Sequence, residues 1–530
     1  MIKGLNVSLN RRVLMQGAGA LLAVSALPRG LMAQDDALVA QTSAGPVRGF
    51  SADGTLMYRG IPYAGSADGA NRFLPPRPVE AWTDVRDATE FGARSPAAEY
   101  PMQVLMEEEG LDLDAGPMSE ESLFLNVQTP ALDGARPVMV WYHGGSFTSG
   151  SGGSMRYYAP ELVLEKDVVL VTVNHRLGIF GFLDLSRFGG EQYAQSGNVG
   201  MLDIVASLEW VRDNIANFGG DPSNVTVFGE SGGGSKVTTL MAMPAAEGLF
   251  HRVIAQSGVA LQSQSPDAAE ATTRTVLERL GIAEDDVAAL GEKTWEDILA
   301  VSNGLDWRPV EDGATVAGSA FDPQARLSAD IPLLLGSNAH EANFFNATPF
   351  EPIDDEGLRM ALIEGQGIAE DRVEDLIAAY QAANPDLENH QIYQRIASDA
   401  FMGASAFTAA DRRAEMGGDN TWVYFFAMAQ GARDGLIGAP HTAEIAYALD
   451  NLAQAERLVG TIDPEDQTLA DQMSAAWTNF AREGNPATDL LPEWPAYTAD
   501  NRAVMILDEN PRVEIDPLRQ GLDALAAARG

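Results

Sequence analysis

The stretch Gly229-Glu230-Ser231-Gly232-Gly233 combines a possible nucleophile with the backbone freedom to present it. It follows a β-branched and aromatic run, 225–228, that reads as a buried parallel strand. A G-x-S-x-G turn between strand and helix pushes its serine outward on a strained backbone, and side chains at either glycine would strike neighbouring chain. In a protein with 52 glycines the pattern carries little weight alone. Its context supplies the rest: a strand before it and a predicted helix over 235–243, stopped by Pro244. Ser231 is therefore read as the nucleophile of an acyl-transfer site.

A serine hydroxyl needs a base, and histidine is suited to that task near neutral pH. The chain has six: His143, His175, His251, His340, His390 and His441. Enzymes built on this turn run in the order serine, acid, histidine, so the base should lie late in the chain. His390 follows a polar run, 384–389, that reads as an exposed helix start. His441 follows Gly438-Ala439-Pro440, a loop that can aim a side chain, and is the choice. The acid must orient the imidazole and stabilise its charged form. Glu341 follows a predicted strand, 333–336, after a short loop, where open α/β sheets place their sites. Asp322, in Phe321-Asp322-Pro323, is its rival, and spacing alone leaves the two open. Backbone N–H donors for an oxyanion come from His143-Gly144-Gly145-Ser146-Phe147, after a strong strand, with Gly232 as a further donor.

The elements that must hold these groups alternate. Strands are predicted at 138–142, 168–174, 225–228, 252–256, 333–336, 422–426 and 503–507. Met201, Ile204, Val205, Leu208, Val211 and Ile215 fall at helical spacing over 200–215, before the stop Gly219-Gly220-Asp221-Pro222. Alternation of this kind predicts an α/β fold with a mainly parallel sheet covered on both faces. The acidic segments 267–306 and 356–411 read as helical cap and side lobes on one core. An irregular stretch, 95–122, carries Glu107-Glu108-Glu109 and reads as a loop that opens and controls access.

Composition narrows the partners. The chain of 530 residues has a formal net charge of −40, and only four of its basic residues are lysine. Such a surface repels phosphate backbones, which argues against nucleic acid as a partner. With no cysteine there are no disulfides and no thiolate metal sites. Residues 1–33 read as an export signal: Arg11-Arg12 precedes an apolar run, 17–27, too short to span a bilayer. This predicts a periplasmic or secreted protein with one domain over 34–530 and no membrane span. A monomer and a dimer fit the sequence equally.

The chain resembles the type-B carboxylesterases, a family that includes cholinesterases and para-nitrobenzyl esterases. The resemblance rests on Arg59-Gly60-Ile61-Pro62, on Glu121-Ser122-Leu123-Phe124-Leu125-Asn126-Val127 and on Asn174-His175-Arg176-Leu177-Gly178. It rests also on Phe218-Gly219-Gly220-Asp221-Pro222, the serine turn and Gln256-Ser257-Gly258. It implies an α/β-hydrolase fold and a Ser231–His441–Glu341 triad, glutamate being the family's usual acid. It implies an oxyanion hole from the N–H groups of Gly145, Ser146 and Gly232, with neither metal nor organic cofactor. Small-molecule esters are then the substrates, with Phe344 and Phe345 on the pocket wall and Phe147 and Glu230 grouped with them. Departures from the family pattern are Ser146 for the third oxyanion glycine, His175 for a tyrosine and Ala342 for a glycine. Ser95 and Ser122 stand where two cysteines close the gorge loop, and that loop lacks the tryptophan that holds choline esters.

Overall fold

Eleven strands form one sheet: β1 (Phe50–Ala52), β2 (Thr55–Pro62), β3 (Phe124–Thr129), β4 (Arg136–Tyr142), β5 (Val169–Val173), β6 (Gly220–Glu230), β7 (Arg252–Gln256), β8 (Leu333–Asn338), β9 (Thr421–Phe426), β10 (Ala503–Leu507) and β11 (Arg512–Ile515). The computed structural model describes residues 38–98, 116–324, 327–345 and 348–530. The expected export segment, 1–33, and the middle of the expected access loop, 99–115, lie outside them. Across the sheet the order is β11-β10-β9-β8-β7-β6-β4-β5-β3-β2-β1. From β5 to β10 every neighbour is parallel. The antiparallel pairs lie towards the two edges.

The mainly parallel sheet read from the sequence is thus present, and its cause is visible in the strands. All residues of β5, β8, β9 and β10 are buried. Successive side chains point to opposite faces, so a strand buried throughout needs cover on both sides. Its sequence is then a continuous apolar run such as the Val169-Leu170-Val171-Thr172-Val173 of β5.

The helices include α1 (Val199–Asn214), α2 (Gly232–Leu240), α3 (Asp355–Gln366), α4 (Val373–Ala383), α5 (Asn389–Ser398), α6 (Ala404–Glu415), α7 (Pro464–Glu483) and α8 (Arg519–Arg529). α2 starts at Gly232, three residues before the sequence suggests. Three successive glycines read as loop by propensity, yet each packs where a side chain has no room. Helices α3, α4, α5 and α8 bury a core of their own, with Leu358, Leu362, Ile377, Tyr380, Ile396 and Leu525. A π-helical turn, Asp399–Gly403, joins this lobe to α6. Among the described residues no helix is long and apolar enough to cross a membrane.

Candidate active site

Ser231 sits between β6 and α2 at φ 57° and ψ −121°, a conformation that costs a non-glycine residue about 1–3 kcal/mol. The neighbours hold it there. Its N–H donates to Gln256 O at 2.8 Å, and its carbonyl accepts from Ser235 N at 3.0 Å. The last carbonyl of β4 fills the space beside the turn: a Cβ on Gly229 would lie 2.4 Å from Tyr142 O, and one on Gly233 only 1.9 Å from it. The glycines expected on steric grounds are therefore required by one identifiable atom.

His441 is carried by the loop after β9, and Glu341 by the loop after β8. The two loops are tied together. His340 N donates to Ala439 O at 2.9 Å, Ala439 N to His340 Nδ1 at 3.1 Å, and Asn338 Nδ2 to Pro440 O at 2.7 Å. That frame brings His441 Nδ1 to 2.5 Å from Glu341 Oε2, with both side chains buried. The carboxylate can only accept, so Nδ1 carries the proton and Nε2 is the basic atom. Glu341 Oε1 accepts from Asn338 N at 2.7 Å, which fixes the carboxylate plane.

On the other side of the ring, Nε2 lies 3.2 Å from Glu230 Oε1. No hydrogen bond joins Nε2 to the hydroxyl of Ser231, which is half-buried next door to Glu230. A third carboxylate, Glu444, is fully buried, accepting from Asn338 Nδ2 at 2.6 Å and from Gln256 Nε2 at 3.3 Å. Burial opposes charge on His441, but Glu230 and then Glu341 outweigh it and raise the imidazole to about 9. Burial raises the Glu230 carboxyl to about 8, against the pull of His441. Glu444 is likewise pushed up by burial, with Glu341 adding to it. The sequence reading misses Glu444; its one signal is an acidic residue a turn after His441 in otherwise apolar surroundings.

The loop after β4 presents backbone donors. Gly145 has φ 81° and Ser146 φ 56°. Ser146, standing where the family resemblance expects glycine, thus occupies the left-handed region and carries its strain. Among the described residues the N–H groups of Gly145, Ser146 and Gly232 donate to nothing. The Cβ position of Gly232 falls 2.1 Å from Ser146 O, so the helix start and the loop are in direct contact. Ser149 N and Thr148 N donate to Gly145 O at 3.0 and 3.2 Å, and Gly178 N to Phe147 O at 2.7 Å. From α2, Lys236 Nζ donates to His143 O at 2.8 Å. Three N–H groups free of internal partners beside a serine can receive a developing negative oxygen.

The alternative residues lie elsewhere. Asp322 is exposed and accepts from its own neighbour Gln324 N. His390 belongs to the first turn of α5, 3.5 Å from Glu388. The structure brings neither to Ser231 or to the imidazole. Phe345 packs against His441 at 5.4 Å between ring centres, and Phe344 edge-on against Phe345. Phe147 turns inward, buried edge-on against Phe182. Phe401, unmarked in the sequence, projects from the π turn onto His441 at 5.5 Å with 44% of its surface exposed. In the absence of cysteines, the two ends of the stretch expected to control access are joined through Arg94 N to Pro117 O and Ser119 N to Arg94 O, both 3.0 Å. Ser95 is buried and accepts from Leu177 N.

Comparison with known proteins identifies the family and the fold. The model of the carboxylesterase family matches residues 36–524. The para-nitrobenzyl esterase of Bacillus subtilis is 34% identical, over 93% of this chain and 99% of that protein. The phenmedipham hydrolase of Pseudarthrobacter oxydans is 32% identical, over 91% and 97%. A crystal structure of a Geobacillus stearothermophilus carboxylesterase at pH 6.2 superposes with a TM-score of 0.79 at 35% identity, over 92% of this chain and all of that one. An esterase from Clostridium hathewayi, described as able to hydrolyse aliphatic aromatic polyesters, gives 0.78 at 31%, over 92% and 98%. The sheet and helices are those of the α/β-hydrolase fold. With the family matched over nearly its whole length, the chain belongs to the carboxylesterase family and is a serine hydrolase that cleaves carboxylic esters through an acyl-enzyme.

Proposed function

We propose that Ser231 is the nucleophile, His441 its base and Glu341 the acid that orients the base. The observation that carries this reading is the buried 2.5 Å contact of Glu341 with His441 Nδ1, which leaves Nε2 as the basic atom beside the serine turn. His441 takes the hydroxyl proton as Ser231 attacks the ester carbonyl, and the oxygen becomes an anion facing the N–H groups of Gly145, Ser146 and Gly232. The tetrahedral species collapses, His441 gives the proton to the departing alcohol, and water repeats the cycle on the acyl-enzyme. Brief mixing with an activated ester, followed by mass analysis of the digest, should find the acyl group on the peptide containing Ser231. Turnover with the label on any other residue would refute the assignment.

Esters with an aromatic or bulky apolar group next to the carbonyl are the proposed substrate class. Phe345 and the exposed Phe401 flank the imidazole and offer ring edges and faces to such a group. The structural neighbour described as able to hydrolyse aliphatic aromatic polyesters supports aryl-bearing substrates. Phenylacetate and cyclohexylacetate esters of one and the same alcohol separate aromatic recognition from bulk. Equal kcat/KM for both would remove the aromatic part of the proposal.

Export is also proposed, from Arg11-Arg12 ahead of the apolar run. Mass analysis of the native protein should find a mature start near Gln34. A cytoplasmic protein retaining residues 1–30 would overturn it.

A further inference from the structure

Lys236 is one of four lysines in the chain and is fully buried. It lies on α2, just over a turn beyond Ser231, and its hydrogen bond is to the carbonyl of His143, the first residue of the donor loop. Its Nζ also lies 6.0 Å from the ring centre of Phe147, at the loop's other end. Behind the loop, His143 and His175 stack at 5.0 Å with ring planes 12° apart. Each ring is paired through Nδ1 with the carbonyl of the following residue, Gly144 O at 2.9 Å and Arg176 O at 3.0 Å. A carbonyl only accepts, so both rings carry the proton on Nδ1 and present unprotonated Nε2 atoms, which have no partner among the described residues. Burial holds both imidazoles well below their ordinary range, with Lys236 adding to the effect. A buried amine with neither carboxylate nor solvent is costly to keep, and a polar group retained at such cost invites a functional explanation.

We propose, on the reading of Gly145 and Ser146 as oxyanion donors, that Lys236 is a positioning residue holding the His143–Gly144 peptide so that the next two N–H groups face Ser231. The geometry explains why a donor is needed here. Gly144 has no side chain to brace it, since a Cβ would lie 3.0 Å from Glu230 Oε2 and 3.5 Å from Ser231 Cβ. Gly145 and Ser146 both have positive φ, which glycine adopts or leaves freely and which Ser146 holds only under strain. Rotation of the 143–144 peptide would turn the His143 carbonyl away from α2 and carry the following donors with it. The Lys236 bond opposes that rotation from the helix that also carries the nucleophile, so donor loop and serine share one reference. Burial lowers Lys236 to about 7, yet a neutral amine still donates an N–H, so the bond persists in either protonation state.

The test removes the donor while keeping the apolar stem, with Lys236→Met and, as a second fold-competent choice, Lys236→Leu. Each folded variant should lose kcat by on the order of 10- to 100-fold, less than or equal to the loss of one oxyanion donor. KM should stay within about 3-fold, because the loop acts on the transition state rather than on the bound ester. A trifluoromethyl ketone accepts Ser231 Oγ at its carbonyl carbon and places an oxyanion in the hole. Its affinity should fall in parallel with kcat, while that of the matching secondary alcohol, which forms no adduct, should not. The melting temperature should hold or rise, since an unpaired buried amine is removed. Wild-type kcat and ketone affinity in either folded variant would overturn the role of Lys236, as would equal losses for ketone and alcohol. A wild-type enzyme that binds the ketone no better than the alcohol would instead bring down the oxyanion reading on which the proposal rests.

Discussion

Between residues 229 and 235 there are four glycines and one ionisable side chain, whereas three buried carboxylates, Glu230, Glu341 and Glu444, surround His441. The serine side of the site is built by exclusion: β4, the donor loop and the loop after β7 close on Ser231 until only hydrogen fits at its flanks. The histidine side is built by charge. Its loops are pinned by hydrogen bonds, and its ring is set by what the carboxylates do to a proton. Exclusion makes the first half intolerant of any added atom, while charge makes the second half adjustable by pH and by isosteric substitution.

The largest effects should come from the groups on which both halves converge. Ser231→Ala and His441→Ala should each lower kcat by on the order of 10⁶, with folding intact, and the double variant should be barely worse than either. Glu341→Gln should cost on the order of 10⁴, since the base remains but loses its orienting charge. Steady-state kinetics of the four proteins checks this, and a double variant far below both singles would show that serine and histidine act in separate steps. Gly233→Ala tests exclusion alone. Its methyl would meet the Tyr142 carbonyl, so a loss of about 4 kcal/mol in a denaturant titration is expected. A stable, active alanine variant would mean that the turn has slack.

Glu230→Gln tests charge alone. Glu230 and Glu341 hold His441 above its ordinary value, so the free base appears only as pH rises and the acid limb of kcat/KM should lie above pH 7. With Glu230 neutralised, the largest of the three raising charges is gone and the limb should move down towards 6 to 7. An unmoved limb in the pH profile would assign the shift elsewhere. The smallest effect is expected from Phe401→Ala, a loss of about 3- to 10-fold in kcat/KM on phenyl esters and less on short aliphatic ones. Equal losses on both would make Phe401 a packing residue only.

The same contrast decides what the sequence can disclose. A steric requirement at Ser231 is met by residues next to it, so it is written as glycines within five positions. Fully buried parallel strands are equally plain, and the runs 252–256 and 503–507 coincide with β7 and β10. The start of α2 is not plain, because contacts with Ser146, Tyr142 and Gly258 override the low helical propensity of its glycines. The choice between Glu341 and Asp322 turns on how the loops after β8 and β9 pair, a contact between segments a hundred positions apart in the chain. Glu444 leaves only the faint mark of one acid among apolar residues, and Phe401 leaves none. One is placed by the pairing of those loops, the other by a π turn that ordinary helical spacing would not suggest.

The order of strands across the sheet has a consequence for how the protein comes into being. The proposed nucleophile, donors, acid and base are delivered by β6, β4, β8 and β9, and the last of these strands is made long after the first. Parallel neighbours cannot be joined by a tight hairpin, so each pairing closes a long loop, and topologies of this kind fold slowly. No piece of the chain that stops short of His441 contains the four contributions together. Recovery of ester cleavage during refolding is therefore a late signal, reporting that the centre of the sheet has been completed rather than that any part of it has formed.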